Sequence, residues 1–415
     1  MIKKVSVKEI KEGMYVCEFD RPWLETGFLF HHFLIKTDKQ IEKIRKYCNH
    51  VYIDTEKGED VKTSVPAAEA DKKIEQEMKE TIQEALKREP PPEDKLKFQE
   101  EIKQAAKAHT EAKDVIRNVL QDVRMGKSIS AGDAKKAVNN MADSIMRNRD
   151  ALMCLSQIKN KDEYTSFHSI NVCILCLAFG RHMGYNDIEL KTLGIGALLH
   201  DIGKTKVPDE VLNKAGKLTP EEFEIMKKHT IYSAEILSKT PGIPQKALEI
   251  PLQHHERYNG TGYPKGLKGD EIGVSGMLSS IADVYDAITS NRVYHTGVLP
   301  HEALKRMYEW KGKDFHNGLL EQFIKCVGIY PPGTTIKLQT GEVGVVISVN
   351  RTNVLKPRIA VVIDGQNKRC TPPKTLDMSN GGGKWNIKEI LDPVSSGINP
   401  QEIMKGLLFD QLGGV

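Results

Sequence analysis

The sequence predicts a mainly α protein: an all-helical central domain, a small α+β domain before it and a short β appendix after it. Two observations predict this class. Between residues 131 and 332, apolar side chains recur at the three- and four-residue spacing of buried helix faces. Residues 1–63 and 333–415 instead contain short alternating runs that are typical of strands. At 415 residues the chain exceeds one ordinary domain, so we interpret these changes as domain boundaries.

The composition limits the classes of function. Hydrophobic residues make up 39% of the chain and charged residues 28%, as expected of a soluble protein with a core. Sixty basic and 56 acidic residues nearly balance, which gives no reason to expect a nucleic-acid polymer or an anionic membrane as partner. No apolar run approaches the roughly 18 residues of a membrane-spanning helix, and residues 1–16 lack the apolar core of a signal peptide. Seven scattered cysteines do not resemble a disulfide framework, so we expect a cytoplasmic protein with no membrane contact.

Residues 1–63 are predicted to form the small α+β domain. Its helix is expected from about Lys39 to Cys48, with Asp38 as the N-cap. No pattern in this domain identifies a signal or ligand, so its role is unassigned. Its strands are predicted at Val5–Val7, Met14–Phe19, Phe28–Ile35 and His50–Ile53.

Residues 64–130 are predicted to form a charged helical linker. Its first part is rich in Ala, Glu and Lys and breaks at three prolines, Pro90 to Pro92, which stop a helix and stiffen the join. An apolar stripe then runs at helical spacing from Phe98 to Val123. The stripe packs either within the chain or on a second copy, so a homodimer is one of two alternatives.

The central domain is predicted to begin with a helix from Ala131 to about residue 158, capped by Ser130. The tail of the β appendix ends in a short amphipathic segment, Pro400 to Leu408. Further central helices are predicted at Thr165–Met183, Ile188–Ile202, Pro220–Ser238, Pro244–Glu256, Ser275–Ser290 and Pro300–Glu309, and appendix strands at Thr335–Leu338, Val343–Val349 and Arg358–Ile363.

Histidines and aspartates of the central domain predict a metal centre. Thirteen histidines occur in the chain, and five of them fall between Leu193 and His295. The relevant residues lie on separate predicted helices, each beside apolar neighbours. Buried and unsatisfied, each polar group would cost roughly 1–3 kcal/mol, and a shared metal cluster removes that cost. Imidazole and carboxylate suit zinc, iron, manganese or nickel. The set is His168, His200, Asp201, His229, His254, His255 and Asp283.

Two motifs of this region resemble the HD-GYP family, a branch of the HD metal-dependent phosphohydrolases. They are HDIGK, from His200 to Lys204, and HHE…GTGYPKGL, from His254 to Leu267. The resemblance covers about residues 162–328 and implies that residues 131–332 are an HD-type catalytic domain. It also implies a bacterial phosphodiesterase that opens cyclic di-GMP to pGpG and, in some members, onward to GMP. The amino-terminal segment resembles a domain of unassigned role that often precedes HD-GYP domains.

The resemblance also implies residue roles. The seven histidines and aspartates would bind two divalent ions, Fe, Mn, Zn or Ni, with Asp201 bridging them and taking part in catalysis. Such ions lower the pKa of a bridging water and supply hydroxide near neutral pH. Lys204 would lie beside the scissile phosphate as a catalytic and substrate-binding residue, while Arg292 and Tyr263 would bind substrate. The GYP loop, from Gly262 to Pro264, is implicated in the family in contacts with diguanylate cyclase domains.

Three departures from the family pattern affect the expected chemistry. Tyr164 stands where some members have a carboxylate for a third metal, so we expect two metals and accumulation of pGpG before GMP. Asn259 replaces the usual aspartate before the GYP loop, which affects the loop's hydrogen bonding. His295 replaces a basic residue that would contact phosphate, so that contact would depend on pH.

Other functions fit the same residues. One alternative is a phosphodiesterase specific for 3',3'-cyclic GMP-AMP, since no base-reading residue is identifiable in the sequence. A second is a non-catalytic module that binds a nucleotide or a cyclase, although the complete ligand set argues against it. A third is a di-iron sensor built on the same helices.

Overall fold

The computed structural model describes residues 2–20, 33–59, 94–157, 164–290, 297–350, 353–381 and 383–412. Several sequence predictions fall outside these ranges: part of the strand predicted at 28–35, the linker before residue 94, Arg292 and His295. Within the described part of the chain, no helix is long and apolar enough to cross a membrane.

The amino-terminal domain is a four-stranded antiparallel sheet with one helix against it. The strands lie in the order β1 (Ile2–Ser6), β4 (His50–Asp54), β2 (Tyr15–Phe19) and β3 (Phe33–Leu34). Val16, Val51 and Ile53 of the sheet and Ile44 of the helix are fully buried and form its core. Thr37, one residue before the predicted cap, is the N-cap, because its hydroxyl accepts from the Gln40 N–H. The elements are β1 (Ile2–Ser6), β2 (Tyr15–Phe19), β3 (Phe33–Leu34), α1 (Asp38–Tyr47) and β4 (His50–Asp54).

In the described part of residues 98–327, which begins within the predicted linker, helices and isolated bridges are present but no extended strand. Helix α5 (Tyr164–His182) lies at the centre of this part, and every residue from His168 to Arg181 is buried. A helix that is buried on all sides must be surrounded by others, and α5 packs against α6 and α11. The helices are α2 (Phe98–Arg124), α3 (Ala131–Arg147), α4 (Arg149–Ser156), α5 (Tyr164–His182), α6 (Asp187–Leu199), α7 (Asp209–Leu212), α8 (Pro220–Lys227), α9 (His229–Ser238), α10 (Glu249–Gln253), α11 (Val274–Thr289), α12 (Pro300–Glu309) and α13 (Asn317–Val327), with 3-10 turns at Ile202–Lys206, Gln245–Leu248 and Gly269–Glu271.

Some predicted helices are broken where a side chain competes for backbone hydrogen bonds. Asn148 interrupts the helix expected from residue 131 to 158, since its backbone is extended and its side chain caps α4 by accepting from the Asp150 and Ala151 N–H groups. The helix expected at 220–238 ends at Lys227, and α9 begins at His229. Helix α13 was not predicted, although its buried Leu320, Phe323 and Val327 follow helical spacing.

The apolar stripe of α2 packs within the chain, which decides between the two alternatives. Ile102, Ala105 and Ile116 of this stripe are at most 1% exposed. They face α3, α4 and α5, which pack against α2. Glu101 on the same helix is also buried, and it receives hydrogen bonds from Arg147 at 2.6 and 2.9 Å. This face is therefore not available to a second copy.

The carboxyl-terminal appendix is a five-stranded antiparallel sheet. Its strands lie in the order β8 (Arg369–Asp377), β7 (Arg358–Ile363), β6 (Val343–Ser348), β5 (Thr335–Leu338) and β9 (Ile387–Ile390). Its β6 strand is buried throughout and packs against α4 and α15. Two of its strands, β8 and β9, were not predicted, since β8 contains Pro372 and Pro373 and β9 has charged residues in its middle. The elements are β5 (Thr335–Leu338), β6 (Val343–Ser348), β7 (Arg358–Ile363), β8 (Arg369–Asp377), β9 (Ile387–Ile390), α14 (Pro393–Ser396) and α15 (Pro400–Leu412).

The amino-terminal domain contacts the carboxyl end of α12 through charged side chains. Lys4 forms an ion pair with Glu309, and the Nε2 atom of His50 lies 2.9 Å from the other oxygen of the same carboxylate. Arg306, one turn earlier, pairs with Glu18 at 2.5 Å. Lys4, His50 and Glu309 are only 11% exposed at their side chains, so this contact is largely shielded from solvent.

Candidate metal centre

Five helices bring the seven predicted ligand residues together. His168 lies on α5, and His200 follows the last residue of α6, with Asp201 next in the chain. His229 is the first residue of α9, His254 and His255 directly follow α10, and Asp283 lies on α11. The close approach of α9 to the HD motif needs a glycine between them. A Cβ atom on Gly203 would lie 2.1 Å from the carbonyl oxygen of His229.

Asp201 lies in the middle of the cluster, and each of its oxygens faces a different pair of imidazoles. Its Oδ1 atom is 3.3 Å from Nε2 of His229 and 3.8 Å from Nε2 of His254. Its Oδ2 atom is 3.3 Å from Nε2 of His200 and 3.7 Å from Nε2 of His168. A carboxylate placed in this way can bind one cation through each oxygen.

Asp283 completes the cluster on the side of α11. Its Oδ1 atom lies 3.0 Å from Nε2 of His168 and 3.8 Å from Nε2 of His200. Its Oδ2 atom lies 3.9 Å from Nδ1 of His255. Asp283 therefore faces three histidines. Two of them, His168 and His200, also lie near the Oδ2 atom of Asp201, and the third is His255.

Backbone carbonyls fix the orientation of three imidazoles. A carbonyl oxygen only accepts hydrogen bonds, so the Nδ1 atom that faces it carries the proton, and Nε2 keeps its lone pair for a metal. In each case Nε2 points toward Asp201. The acceptors are Ala197 for His200 at 2.7 Å, Met226 for His229 at 2.7 Å and Ile250 for His254 at 3.0 Å.

The donor atoms fit a divalent cation. Among the described residues, Nε2 of His200, His229 and His254 and Oδ1 of Asp201 are buried without a hydrogen-bond partner. Four such atoms would each cost about 1–3 kcal/mol, and a bound cation satisfies all of them. Ligand atoms within 4.8 Å of one another form three groups: His229, His254 and His255; His168, His200 and Asp283; and His200, Asp201 and His254.

Burial keeps three of the histidines neutral at physiological pH. It lowers the pKa of His229 to about 4, and it lowers the pKa of His254 to about 3, with nearby His200 adding to the effect. Burial and the neighbouring His254 also hold the pKa of His255 well below its usual range. A neutral imidazole is the form that binds metal, so these side chains need not lose a proton to do so.

The two aspartates are ionised. Burial alone would raise the pKa of Asp201, but His200 and Lys204 hold it well below its usual range. Burial acts in the same direction on Asp283, and the hydrogen bond to His168 outweighs it, so the pKa of Asp283 is also lowered well below its usual range. The centre therefore offers two buried anions to a cation.

Sequence reasoning missed a carboxylate that orients His168. Oδ2 of Asp286 lies 2.8 Å from Nδ1 of His168, and its Oδ1 accepts a hydrogen bond from Asn171 at 3.1 Å. Burial would lower the pKa of His168, but Asp283 and Asp286 together raise it to about 9. The spacing could have revealed both residues. Asp286 lies one turn after Asp283, and Asn171 lies one turn after His168, each on a face directed at the centre.

Lys204 and Tyr263, two of the predicted substrate-binding residues, each contact a predicted metal ligand. The Nζ atom of Lys204 lies 2.5 Å from Oδ2 of Asp201, while 27% of its side chain is exposed. The Tyr263 ring stacks on the His255 ring, with centroids 4.7 Å apart and an interplanar angle of 27°. Arg292, the other predicted substrate ligand, lies outside the described residues.

Glu256 binds the backbone of the segment that directly follows the GYP residues. Its two carboxylate oxygens accept from the backbone N–H groups of Lys265 at 2.8 Å and Leu267 at 3.0 Å. Asn259, in the place of the family's usual aspartate, accepts hydrogen bonds through its side-chain oxygen from the N–H of Thr261 at 3.0 Å and from the Thr261 hydroxyl at 2.7 Å. The replacement therefore leaves a hydrogen-bonded loop.

An all-helical domain that gathers histidines and aspartates around one centre defines the class of HD metal-dependent phosphohydrolases. The chain matches the family model described as HD domain over residues 143–316. Residues 2–134 match a domain of unknown function (DUF3391), and residues 335–393 match a KOW domain associated with HD domain.

Relatives with known names identify the family. The chain is 34% identical over 384 residues to cyclic di-GMP phosphodiesterase PA4108 of Pseudomonas aeruginosa, covering 92% of this chain and 90% of the relative. It is 41% identical over 166 residues to a cyclic di-GMP phosphodiesterase of Thermotoga maritima, covering 40% of this chain and 45% of the relative. It is also 32% identical over 190 residues to 3'3'-cGAMP-specific phosphodiesterase 2 of Vibrio cholerae, covering 45% and 36%. The chain therefore belongs to the HD-GYP family of metal-dependent phosphodiesterases, which confirms the resemblance of its motifs.

Proposed function

We propose that the protein hydrolyses cyclic di-GMP to pGpG at the centre around Asp201. The phosphodiesterase chemistry rests on one observation: each carboxylate oxygen of Asp201 faces its own pair of buried imidazoles. The substrate rests on the similarity over 92% of the chain to a relative named as a cyclic di-GMP phosphodiesterase.

The arrangement of donors supports two ions. The group His229, His254 and His255 and the group His168, His200 and Asp283 share no residue. Asp201 lies between them and would contribute one oxygen to each ion. The same donor set suits iron, manganese, zinc or nickel, so the metal identity is a matter for analysis of the purified protein.

When bound, the ions lower the pKa of water and supply a hydroxide nucleophile near neutral pH. The protein supplies the surroundings. Lys204 reaches the centre from its exposed side, so its ammonium is placed to bind a phosphate oxygen and offset the charge that develops during attack. Arg292 would bind a second phosphate oxygen, as the family resemblance implies. Tyr263, stacked on His255, would contact the part of the substrate that extends from the metal centre toward solvent.

A second candidate substrate is 3',3'-cyclic GMP-AMP. The observation that favours it is the 32% identity to the Vibrio cholerae relative named for that substrate. The two candidates separate by their kcat/KM values, and we expect cyclic di-GMP to be preferred. A preference for the hybrid by about tenfold, or about 1.4 kcal/mol in transition-state binding, would reverse the assignment.

The deciding experiment is turnover by the purified chain. It is incubated with cyclic di-GMP and Mn²⁺ or Fe²⁺, and the products are separated by chromatography. Linear pGpG is expected. Bound metal without turnover of any cyclic dinucleotide would instead favour a binding module, and redox-dependent metal spectra without turnover would favour a di-iron sensor. Comparing aerobic and anaerobic preparations distinguishes these outcomes from oxidative loss of metal.

We also propose a cytoplasmic location and a contact between the GYP loop and diguanylate cyclase domains. All seven cysteines are free and six of them are buried, as expected in a reducing compartment. Thr261, beside the GYP residues, is exposed and available to a partner. Pull-down of a diguanylate cyclase domain by the wild type and by Thr261→Arg tests the contact. The wild type should bind the domain, and the variant should not.

A further inference from the structure

Helix α8 carries an aromatic side chain that lies outside the hydrophobic core of the described residues. None of its eight residues, Pro220 to Lys227, is buried. Phe223 is half-buried and does not belong to the hydrophobic core formed by the described residues. A large apolar ring left partly in water contributes little to folding. Its position therefore suggests contact with something other than this chain.

Phe223 is the outer member of a row of rings that begins at the metal centre. Its ring lies 5.9 Å from that of Tyr263 at an angle of 80°, and Tyr263 stacks on His255. The His255 side chain is 19% exposed, whereas those of the other six predicted ligands are at most 9% exposed. We call His255, Tyr263 and Phe223 the aromatic rim. It leads from the centre to solvent on the open side.

A cation lies beside the aromatic rim. Lys227 follows Phe223 by one helical turn, and its Nζ atom lies 4.9 Å from the Phe223 ring centroid and 5.8 Å from that of Tyr263. The same Nζ atom pairs with Glu224 at 2.6 Å, and 26% of the lysine side chain is exposed. A partly exposed pair of this kind contributes little to stability, so the ammonium can exchange it for a ligand.

We propose that the aromatic rim and Lys227 form the subsite for one guanine base of the substrate. This assignment rests on the proposed function. Proteins commonly hold unpaired bases by stacking them on aromatic rings, which tolerates any base. Lysine adds selectivity, because guanine presents two acceptors, O6 and N7, where adenine presents a donor and an acceptor. Phe223 thus supplies affinity for a base and Lys227 supplies the preference for guanine.

The first test compares a nucleotide substrate with a phosphodiester that lacks a base. Phe223→Ala is expected to lower kcat/KM for cyclic di-GMP by about tenfold to a hundredfold. Hydrolysis of the abasic analogue of cyclic di-GMP, in which hydrogen replaces each base, should change by about twofold or less, and Phe223→Tyr should restore the nucleotide activity. Equal losses on both substrates would show that Phe223 only positions Tyr263 or His255. No loss on cyclic di-GMP would also overturn the subsite.

The second test addresses selectivity. Lys227→Gln is expected to reduce the preference for cyclic di-GMP over cyclic di-AMP by about tenfold. Lys228→Gln is the matched control, because it removes the same charge from the next, exposed residue. The control should keep the preference. Equal effects of the two substitutions would assign the preference to general electrostatics and would remove Lys227 from the subsite.

A binding measurement separates this proposal from the proposed function. Calorimetry compares GMP with ribose 5-phosphate, which has the phosphate and sugar but no base. If cyclic di-GMP is not hydrolysed, the proposed function fails, yet Phe223→Ala should still weaken GMP binding and leave ribose 5-phosphate unchanged. The base subsite fails if the variant weakens both ligands equally or weakens neither, whatever the turnover.

Discussion

Replacing Asp286 by asparagine should weaken metal binding although Asp286 is not a proposed ligand. The carboxylate lies 2.8 Å from Nδ1 of His168 and accepts from Asn171 at 3.1 Å. An asparagine keeps one acceptor oxygen and replaces the other with an NH₂ group. The NH₂ group then faces either Asn171, at one oxygen position, or His168 and Ser290, at the other, and the negative charge behind the imidazole is lost.

The size of the effect follows from these contacts. A hydrogen bond to a charged group contributes about 1.5–3 kcal/mol, and each 1.4 kcal/mol is about a tenfold change in affinity. Partners that orient a metal-bound histidine typically change metal affinity or activity by about 10- to 100-fold when mutated. The two figures agree, so Asp286→Asn should weaken metal binding by about 10- to 100-fold.

Dialysis against a graded series of chelator concentrations measures this affinity, and circular dichroism shows whether the variant remains folded. Asp187→Asn is the matched control, because it makes the same substitution in a side chain that is 65% exposed and lies at the end of α6 opposite His200. A folded Asp286→Asn protein with the metal affinity of the control would refute the role of Asp286 in orienting His168.

Three further outcomes are expected. Asp201→Ala should abolish hydrolysis and lower bound metal, because it removes the carboxylate that faces four imidazoles; near wild-type turnover in the folded variant would exclude a dinuclear centre. Since Tyr164 replaces the carboxylate of a third site, elemental analysis should find about two metals per chain and product analysis should find pGpG before GMP; three metals would show that a neighbouring acid binds instead. Glu309→Gln should loosen the amino-terminal domain by about 1.5–3 kcal/mol, seen as faster hydrogen exchange in β4. Burial alone would raise the pKa of Glu309, but His50 and Lys4 hold it below its ordinary 4.5. The stability difference between wild type and Glu309→Gln should therefore be complete above pH 4.5 and shrink as the pH falls further. A stability difference that does not change with pH would contradict the ion pair.

Local patterns in the sequence predicted the three-part architecture and the residues proposed for the centre. Helical spacing of apolar residues identifies a helix wherever one face is buried, and this spacing placed the residues of α5, α6 and α11. The motifs starting at His200 and His254 concentrate ligand side chains within a few residues. Local patterns of this kind can be recognised in the sequence without knowledge of the fold.

The tertiary structure alone decided which atoms meet. No local pattern specifies that Nε2 of His229, rather than Nδ1, faces Asp201, since a backbone carbonyl makes that choice. Phe223 and Tyr263 are 40 residues apart, and Lys4 and Glu309 are 305 apart, so their contacts depend on how whole elements pack. The apolar stripe of α2 was compatible with two partners until α3, α4 and α5 were seen to cover it. Periodicity shows that a helix face is buried, and only the packed fold shows which elements cover that face.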